Sequence, residues 1–400
     1  LHAGGFLCEC RDHALWRTLP DGRRALAYGG DFGEEVHDGN FVCDGLVDAL
    51  SRPYAGTWAW IRALAPDAPI LRDRSQKSGG EAEERLRALA SAASSLLSPN
   101  EAESCAAFDD RGRVESVGEL PITAEISVYR APTDNDRGRG PVDYWGISSN
   151  DLGPLGTGTG QWGVSHAQRW EMARLHLLRR TWHGSSCESG MRVLIERWAP
   201  PAVQFGLEAR WTFTPVDGKI EGAPAAAAIS GNCLAVKVEM TPYGEWPERI
   251  PRAGVRLRIP GTEWTASWVG ETDIAYSDLP GANPNGFGCA ELKDLWDVGV
   301  KPQDGGHRPG LKVLELRGEE RALIIIPRSE MGWSASPWSE RELAQAGHWE
   351  DLSESNRTFV WLDAVQDGIG TRSCGPDARP EFGARMAART MEFILCVTDL

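Results

Sequence analysis

Val255-Arg256-Leu257-Arg258-Ile259 alternates apolar and charged residues without a break. That period of two puts one face of a strand in a core and the other in water. Working outward, the same β-branched or alternating character recurs in Ala235–Met240, Met191–Trp198, Leu311–Arg317, Ala322–Ile326 and Thr390–Val397. Turn signals such as Pro215-Val216-Asp217-Gly218 separate these stretches. From about Cys105 onward the chain therefore predicts a mainly β protein, a large antiparallel sandwich. One short helix interrupts it. Ser339 and Glu342 form a capping box and Gly347 stops it.

The region before Cys105 reads differently. Residues 1–50 are loops around short strands, with Pro20-Asp21-Gly22 as a hairpin turn. Between 79 and 98 a helical stripe runs through Ala82, Leu86, Leu89, Ala93 and Leu96, with Ser78 and Glu81 as a capping box and Pro99 as the stop. Before it, residues 71–80 are polar and linker-like. This divides the chain into residues 1–55, a connector over 56–104 that is partly helical, and a sandwich over 105–400.

Composition narrows the function. Four hundred residues are ample for a large core. A net charge of −15, with only six lysines, argues against nucleic acid and against anionic membrane surfaces. No apolar run reaches about 18 residues, so no membrane span is expected. The nine cysteines are odd in number and Cys8-Glu9-Cys10 lacks metal or redox spacing, which predicts reduced thiols in an intracellular, cytoplasmic protein. Seventeen tryptophans are the outlier. Most belong in a sandwich core, and a few in a cleft would suit a carbohydrate protein, because indole stacks on the apolar face of a sugar ring.

The densest chemistry lies in Ala27–Val47, where glycines, acids, His37 and aromatics crowd together. Glu34, Glu35, Asp38 and Asp44 could offer oxygens to a hard ion, and His37 a ligand or a hydrogen bond to substrate; a solvated acidic loop fits the spacing equally well. A site-like loop this early, in a chain that opens on Leu1, leads to the expectation that catalytic framework lies upstream. Asp134-Asn135-Asp136 could also ligate a cation, but an Asx-rich turn held by Arg130 is the better reading. Gly156–Gly163 reads as a loop and not as a nucleotide site, since no βαβ context surrounds it. Neither a Ser/His/Asp set nor a glycosidase carboxylate pair can be assigned from spacing.

Taken together, the motifs resemble glycoside hydrolase family 2 β-galactosidases of the lactose-hydrolysing type. Tyr28–Val47 is similar to the end of the catalytic barrel, and Gly4-Gly5-Phe6 through Asp12-His13 to the barrel strand before it. Arg130–Asp136 resembles the opening of the family's last, small-chain domain. Lys301–Arg308, Ser334–Trp338 with Glu342-Leu343, and Leu362-Asp363 through Gly368–Pro376 match further motifs in the same order. The resemblance implies a galactose mutarotase-like supersandwich preceded by a TIM-barrel remnant.

It also implies retaining hydrolysis of β-galactosides such as lactose by two glutamates roughly 5 Å apart. Both would lie upstream, so no catalytic residue is expected in this chain, and Glu9, Glu34 and Glu35 are not substitutes. By the same resemblance, the Phe41 carbonyl and the Asp44 side chain fall at a sodium site and His37 near a magnesium. Cys8 stands where the family has a Trp on the pocket floor, Cys10 replaces another Trp, and Cys374 stands where some members carry a sugar-stacking Trp. The residues between barrel and sandwich are too few for the family's intervening domain, and Ile274 replaces an expected acid. The implied partners are a large catalytic chain or further copies of this chain. The readings outside that activity are a non-catalytic carbohydrate-binding or structural domain and, by fold analogy only, a mutarotase-like enzyme.

Overall fold

The computed structural model describes residues 9–37, 39–64, 80–92, 105–138, 165–188, 190–216, 232–279, 284–297, 299–373 and 377–400. The chain begins with a hairpin of β1 (Leu15–Thr18) and β2 (Arg24–Ala27), joined through Pro20-Asp21-Gly22 as its sequence predicts. Gly22 sits at φ +85°, which a residue with a Cβ rarely adopts. Helices α1 (Ala55–Leu64) and α2 (Gly80–Ala92) follow. A small sheet of β3 (Ala106–Phe108), β4 (Val114–Val117) and β5 (Leu120–Pro121) leads into β6 (Thr123–Ser127) and the short helices α3 (Asp134–Arg137) and α4 (His166–Met172).

The remaining strands are β7 (Arg179–Glu188), β8 (Met191–Ala199), β9 (Gly206–Val216), β10 (Asn232–Tyr243), β11 (Arg252–Pro260), β12 (Thr265–Glu271), β13 (Asn285–Glu291), β14 (Val313–Arg317), β15 (Arg321–Pro327), β16 (Gly332–Ser336), β17 (Arg357–Gln366) and β18 (Arg389–Asp399). Among the described residues, nine strands form one antiparallel sheet in the order β13-β12-β14-β15-β18-β10-β9-β8-β7. A second sheet, β16-β17-β11-β6, packs on it. The mainly β, antiparallel expectation is met, and every stretch read as a strand is one. Between β16 and β17, α5 (Glu340–Gln345) carries the expected Ser339/Glu342 capping box.

Alternation explains the core between the sheets. Val255, Leu257 and Ile259 of β11 point inward, while the intervening Arg256 reaches Glu125 and Glu340 at 2.5 and 2.8 Å. On the large sheet, Leu323, Ile325, Met391, Phe393 and Leu395 face the same core. Their neighbours Ile324, Ile326, Ile394 and Cys396 are equally buried, because Leu86 and Leu89 of α2 cover the far side of the sheet. This corrects the expectation of one wet face for these central strands. An unbroken run such as Leu323-Ile324-Ile325-Ile326 is buried on both faces.

The helical stripe ending at Ala93 and Leu96 is described only to Ala92, and Ser78, Pro99 and residues 156–163 lie outside the described residues. Val216 closes β9 instead of opening the expected turn; Asp217 and Gly218 lie outside the described residues. Cys233 and Cys396 oppose one another in the β10/β18 register and form a disulfide, which corrects the expectation of reduced thiols throughout. Cys10, Cys43, Cys105, Cys187 and Cys289 are free.

Candidate active-site rim

Two short stretches of the opening segment run side by side. Val47 pairs in parallel with Arg11, through Asp12 N–H to Val47 O at 3.0 Å and Val47 N–H to Cys10 O at 3.1 Å. Gly45 is required here, since a Cβ would lie 2.4 Å from the Asp12 nitrogen. Asp12 accepts from Gly45 N–H (2.7 Å) and from the Tyr54 hydroxyl (2.5 Å), and burial holds its carboxyl above the usual range against those bonds. Glu9 is likewise raised, first by desolvation and then by the neighbouring Asp44, while His13 at 3.0 Å pulls the other way.

The loop from Gly29 to Gly39 closes on itself. The His37 ring lies over Gly30, where a Cβ would come within 2.7 Å of it. His37 Nδ1 accepts from Gly39 N–H at 3.0 Å, so in the neutral ring the proton sits on Nε2. Glu34 accepts from Gly30 and Phe32 N–H, which lowers its pKa and gives it a structural task. Phe41 lies in the 3-10 turn Gly39–Val42, and Asp44 follows it as an exposed carboxylate. His37, Phe41 and Asp44 thus belong to one loop. Cys8, Asp38 and Cys374 lie outside the described residues.

The sandwich meets this loop with residues that periodicity did not single out. Lys301 Nζ donates to Asn40 at 3.3 Å, and burial followed by Arg137 lowers its pKa. The Cys43 thiol is pushed up to about 12 by burial and then by Asp12, Asp134 and Asp44. Tyr28 donates to Gly347 O at 2.6 Å and stacks on His348 at 4.6 Å. His348 Nε2 lies 2.8 Å from Asp31, and Arg17 pairs with Glu350 at 2.7 Å. A cavity lined by Asp12, His13, Tyr28, Phe32 and Glu34 lies beside these contacts, with a volume near 420 Å³.

The Arg130–Gly138 motif serves as a clamp. Asp136 is consumed by Arg130 (2.7 Å), Thr133 N–H (2.8 Å) and the Thr133 hydroxyl (2.9 Å), so Arg130 holds this turn through Asp136. Asn135 donates to Gly370 O at 2.8 Å and accepts from the Ser373 hydroxyl at 2.6 Å. Gly138 lets the backbone of Arg372 approach to where a Cβ would be 2.2 Å away. The motif therefore fixes the loop that runs into Cys374. Its signal in the sequence was the density of Asp and Asn; what those side chains hold only the fold shows.

Chemically, the rim offers carboxylates, an imidazole and an ammonium group, the acceptors and donors that suit neutral polyhydroxylated ligands. A carboxylate with a backbone carbonyl, as at Asp44 and Phe41, matches the oxygen preference of a hard cation. Among the described residues no three of His, Cys, Asp and Glu converge on a point that could hold a metal. No described helix is long and apolar enough to cross a membrane.

The chain is 27% identical to a β-galactosidase of Arthrobacter sp. (strain B7) over 97% of its own length and 46% of that protein. It is 38% identical to a β-galactosidase of Aeromonas hydrophila over 95% of its own length and 44% of that protein. It spans less than half the length of both. A putative aldose 1-epimerase of Escherichia coli K12 overlaps 72% of this chain at 12% identity with a TM-score of 0.34. Residues 102–395 match the family described as the β-galactosidase small chain, and with that match the chain belongs to the β-galactosidase small-chain family.

Proposed function

We propose that this chain is the C-terminal portion of a glycoside hydrolase family 2 β-galactosidase, supplying the sandwich and one rim of the active site. The observation that carries this reading is the joint match: nearly all of this chain aligns with less than half of a β-galactosidase, and its opening segment is folded onto the sandwich. Two catalytic glutamates roughly 5 Å apart, as a retaining mechanism needs, would come from a larger catalytic chain. Lactose and related β-galactosides are the substrate class.

Phe41 through its carbonyl and Asp44 through its carboxylate would hold sodium, and His37 would stand near magnesium. Sodium supplies a hard positive charge that can fix a sugar hydroxyl. The chain's own residues orient the ligand: His37 offers Nε2–H, and Asn135 holds Gly370 and Ser373, just before Cys374 in the sequence. Cys8 would lie on the pocket floor. At both cysteines less stacking surface is available than a tryptophan gives. Exposed Trp16, Phe32 and Val36 offer the rest of a barrel an apolar surface to cover.

The test is hydrolysis of a chromogenic β-galactoside by the purified chain, alone and mixed with a barrel-bearing N-terminal fragment, with sodium and magnesium present. Turnover is expected in the mixture alone, and Asp44→Ala should raise the sodium concentration needed. Turnover by the chain alone overturns the placement of the glutamates. Absence of turnover in a mixture that demonstrably associates favours a non-catalytic carbohydrate-binding domain.

A further inference from the structure

Four tryptophans outside the rim line one cavity of about 640 Å³, inside the range of roughly 300–1,000 Å³ typical of small-molecule sites. Trp264 and Trp296 are nearly buried and form its floor, while Trp338 and Trp349 are half-buried. Trp264 follows β11, Trp296 precedes the Lys301–Arg308 motif, and the other two flank α5, so no local pattern in the sequence groups them.

Every indole N–H is already used inside the protein. Trp264 donates to Pro260 O (3.1 Å), Trp296 to Ala335 O, Trp338 to Ser353 O (3.0 Å) and Trp349 to Gly299 O (2.7 Å). The rings therefore offer the cavity carbon surface and π-faces, not donors. Trp296 is recessed because Gly306 lies against it, where a Cβ would be 2.9 Å from the ring; Gly318 does the same for Trp264 at 3.1 Å. Trp338 and Trp349 stand 5.7 Å apart and tilted by 56°, two walls at an angle. Exposed Glu263 and Glu291 and half-buried Thr262 and Thr265 bring acceptors and hydroxyls to the same cavity.

Flat apolar platforms beside carboxylates match a ligand with C–H faces and many hydroxyls. They do not match an anion: Glu263 and Glu291 outnumber Lys293 among the charged lining residues, Lys293 is held by Glu291 at 2.7 Å, and the net charge is −15. The cavity is also not isolated. Trp349 is shared with a second cavity of about 350 Å³ against the opening hairpin, and Thr262, Glu263 and Trp264 with a third of about 270 Å³. We infer that this tryptophan cavity is a second saccharide site, built for a neutral oligosaccharide longer than two sugars and separate from the rim of His37, Phe41 and Asp44. The inference does not depend on hydrolysis.

The experiment titrates the full chain with β-1,4-galactotetraose and with lactose, read by calorimetry and by tryptophan fluorescence. Saturable binding is expected, tighter for the tetraose, and Trp338→Ala should weaken it by about tenfold at an unchanged melting temperature. The same weakening by Trp338→Ala is expected in an Asp44→Asn background, where any galactoside bound at the rim no longer contributes. Should Trp338→Ala fail to fold, Glu263→Gln at the exposed rim decides, with an expected loss of about threefold. Absence of saturable binding, wild-type affinity in the folded cavity variants, or a loss confined to Asp44→Asn overturns the proposal. So does shielding of these tryptophans from a soluble quencher by the barrel-bearing fragment but not by saccharide, which would make the cavity a protein interface.

Discussion

Val36 in the opening segment is 94% exposed; Val360 in the sandwich is 0% exposed. The contrast extends across both regions. Among the described side chains of residues 9–64 the buried apolar ones are small, Ala27 and Ala55, while Leu15, Trp16, Phe32, Leu50, Trp60 and Leu64 stand in solvent. The sandwich buries Trp170, Trp211, Trp333 and Trp361 almost completely. Apolar burial organises the sandwich, where two sheets and α2 exclude water from long alternating strands. The opening segment takes its shape from polar contacts: Asp12 with Gly45 and Tyr54, Tyr28 with Gly347, Arg17 with Glu350. The sandwich is thus a scaffold with its own core, and the rim is a surface feature braced against it.

The largest test of this contrast compares two tryptophans. Trp333 packs between Trp268 and the Arg308 guanidinium, and Trp333→Ala should destabilise the chain by about 3–5 kcal/mol in denaturant melts. Trp16, nearly half exposed, should cost no more than about 0.5 kcal/mol on the same change. Similar losses for the two would erase the distinction between the regions.

A second test uses charge buried in the sandwich. His307 donates Nδ1–H to Ala275 O at 2.7 Å, and burial, then Arg252, Arg130 and Arg308, lower its pKa to about 3. The unfolded chain binds a proton there below about 6.5, and the folded chain does not. This residue's contribution to stability is therefore intact above that pH and is lost as pH falls toward 3. Asp363, raised to about 7 by burial despite Arg252, works oppositely, reducing stability as pH rises from about 4 to 7. Their opposition masks both in the wild type. Relative to it, His307→Asn should gain about 1.4 kcal/mol for each pH unit lowered through the His307 window. A flat difference across denaturant melts at several pH values would mean that this histidine titrates normally.

The smallest effect sharpens the comparison at the seam. Tyr28→Phe removes the bond to Gly347 O and keeps the stack on His348, costing about 1 kcal/mol. The loss should appear as faster proteolysis of the opening segment, with the melting of the sandwich unchanged. Equal loosening of both regions would make them one cooperative unit.

What the sequence determined by itself is the strand inventory, the hairpin at Pro20-Asp21-Gly22 and the cap of α5. Each rests on local chemistry: period-two burial, a glycine at positive φ, a side chain closing its own helix end. The order of its motifs also carried the family. Tertiary structure decided the rest. Leu86 and Leu89 turn out to seal the far face of the large sheet, Cys233 finds Cys396 across 163 residues of chain, and Lys301 and Asp134 approach a loop that begins near Tyr28. The four tryptophans of the proposed saccharide cavity come from separate stretches between Trp264 and Trp349. Such pairings depend on which sheet edges and loops become neighbours, and nothing in a residue's immediate neighbourhood encodes them.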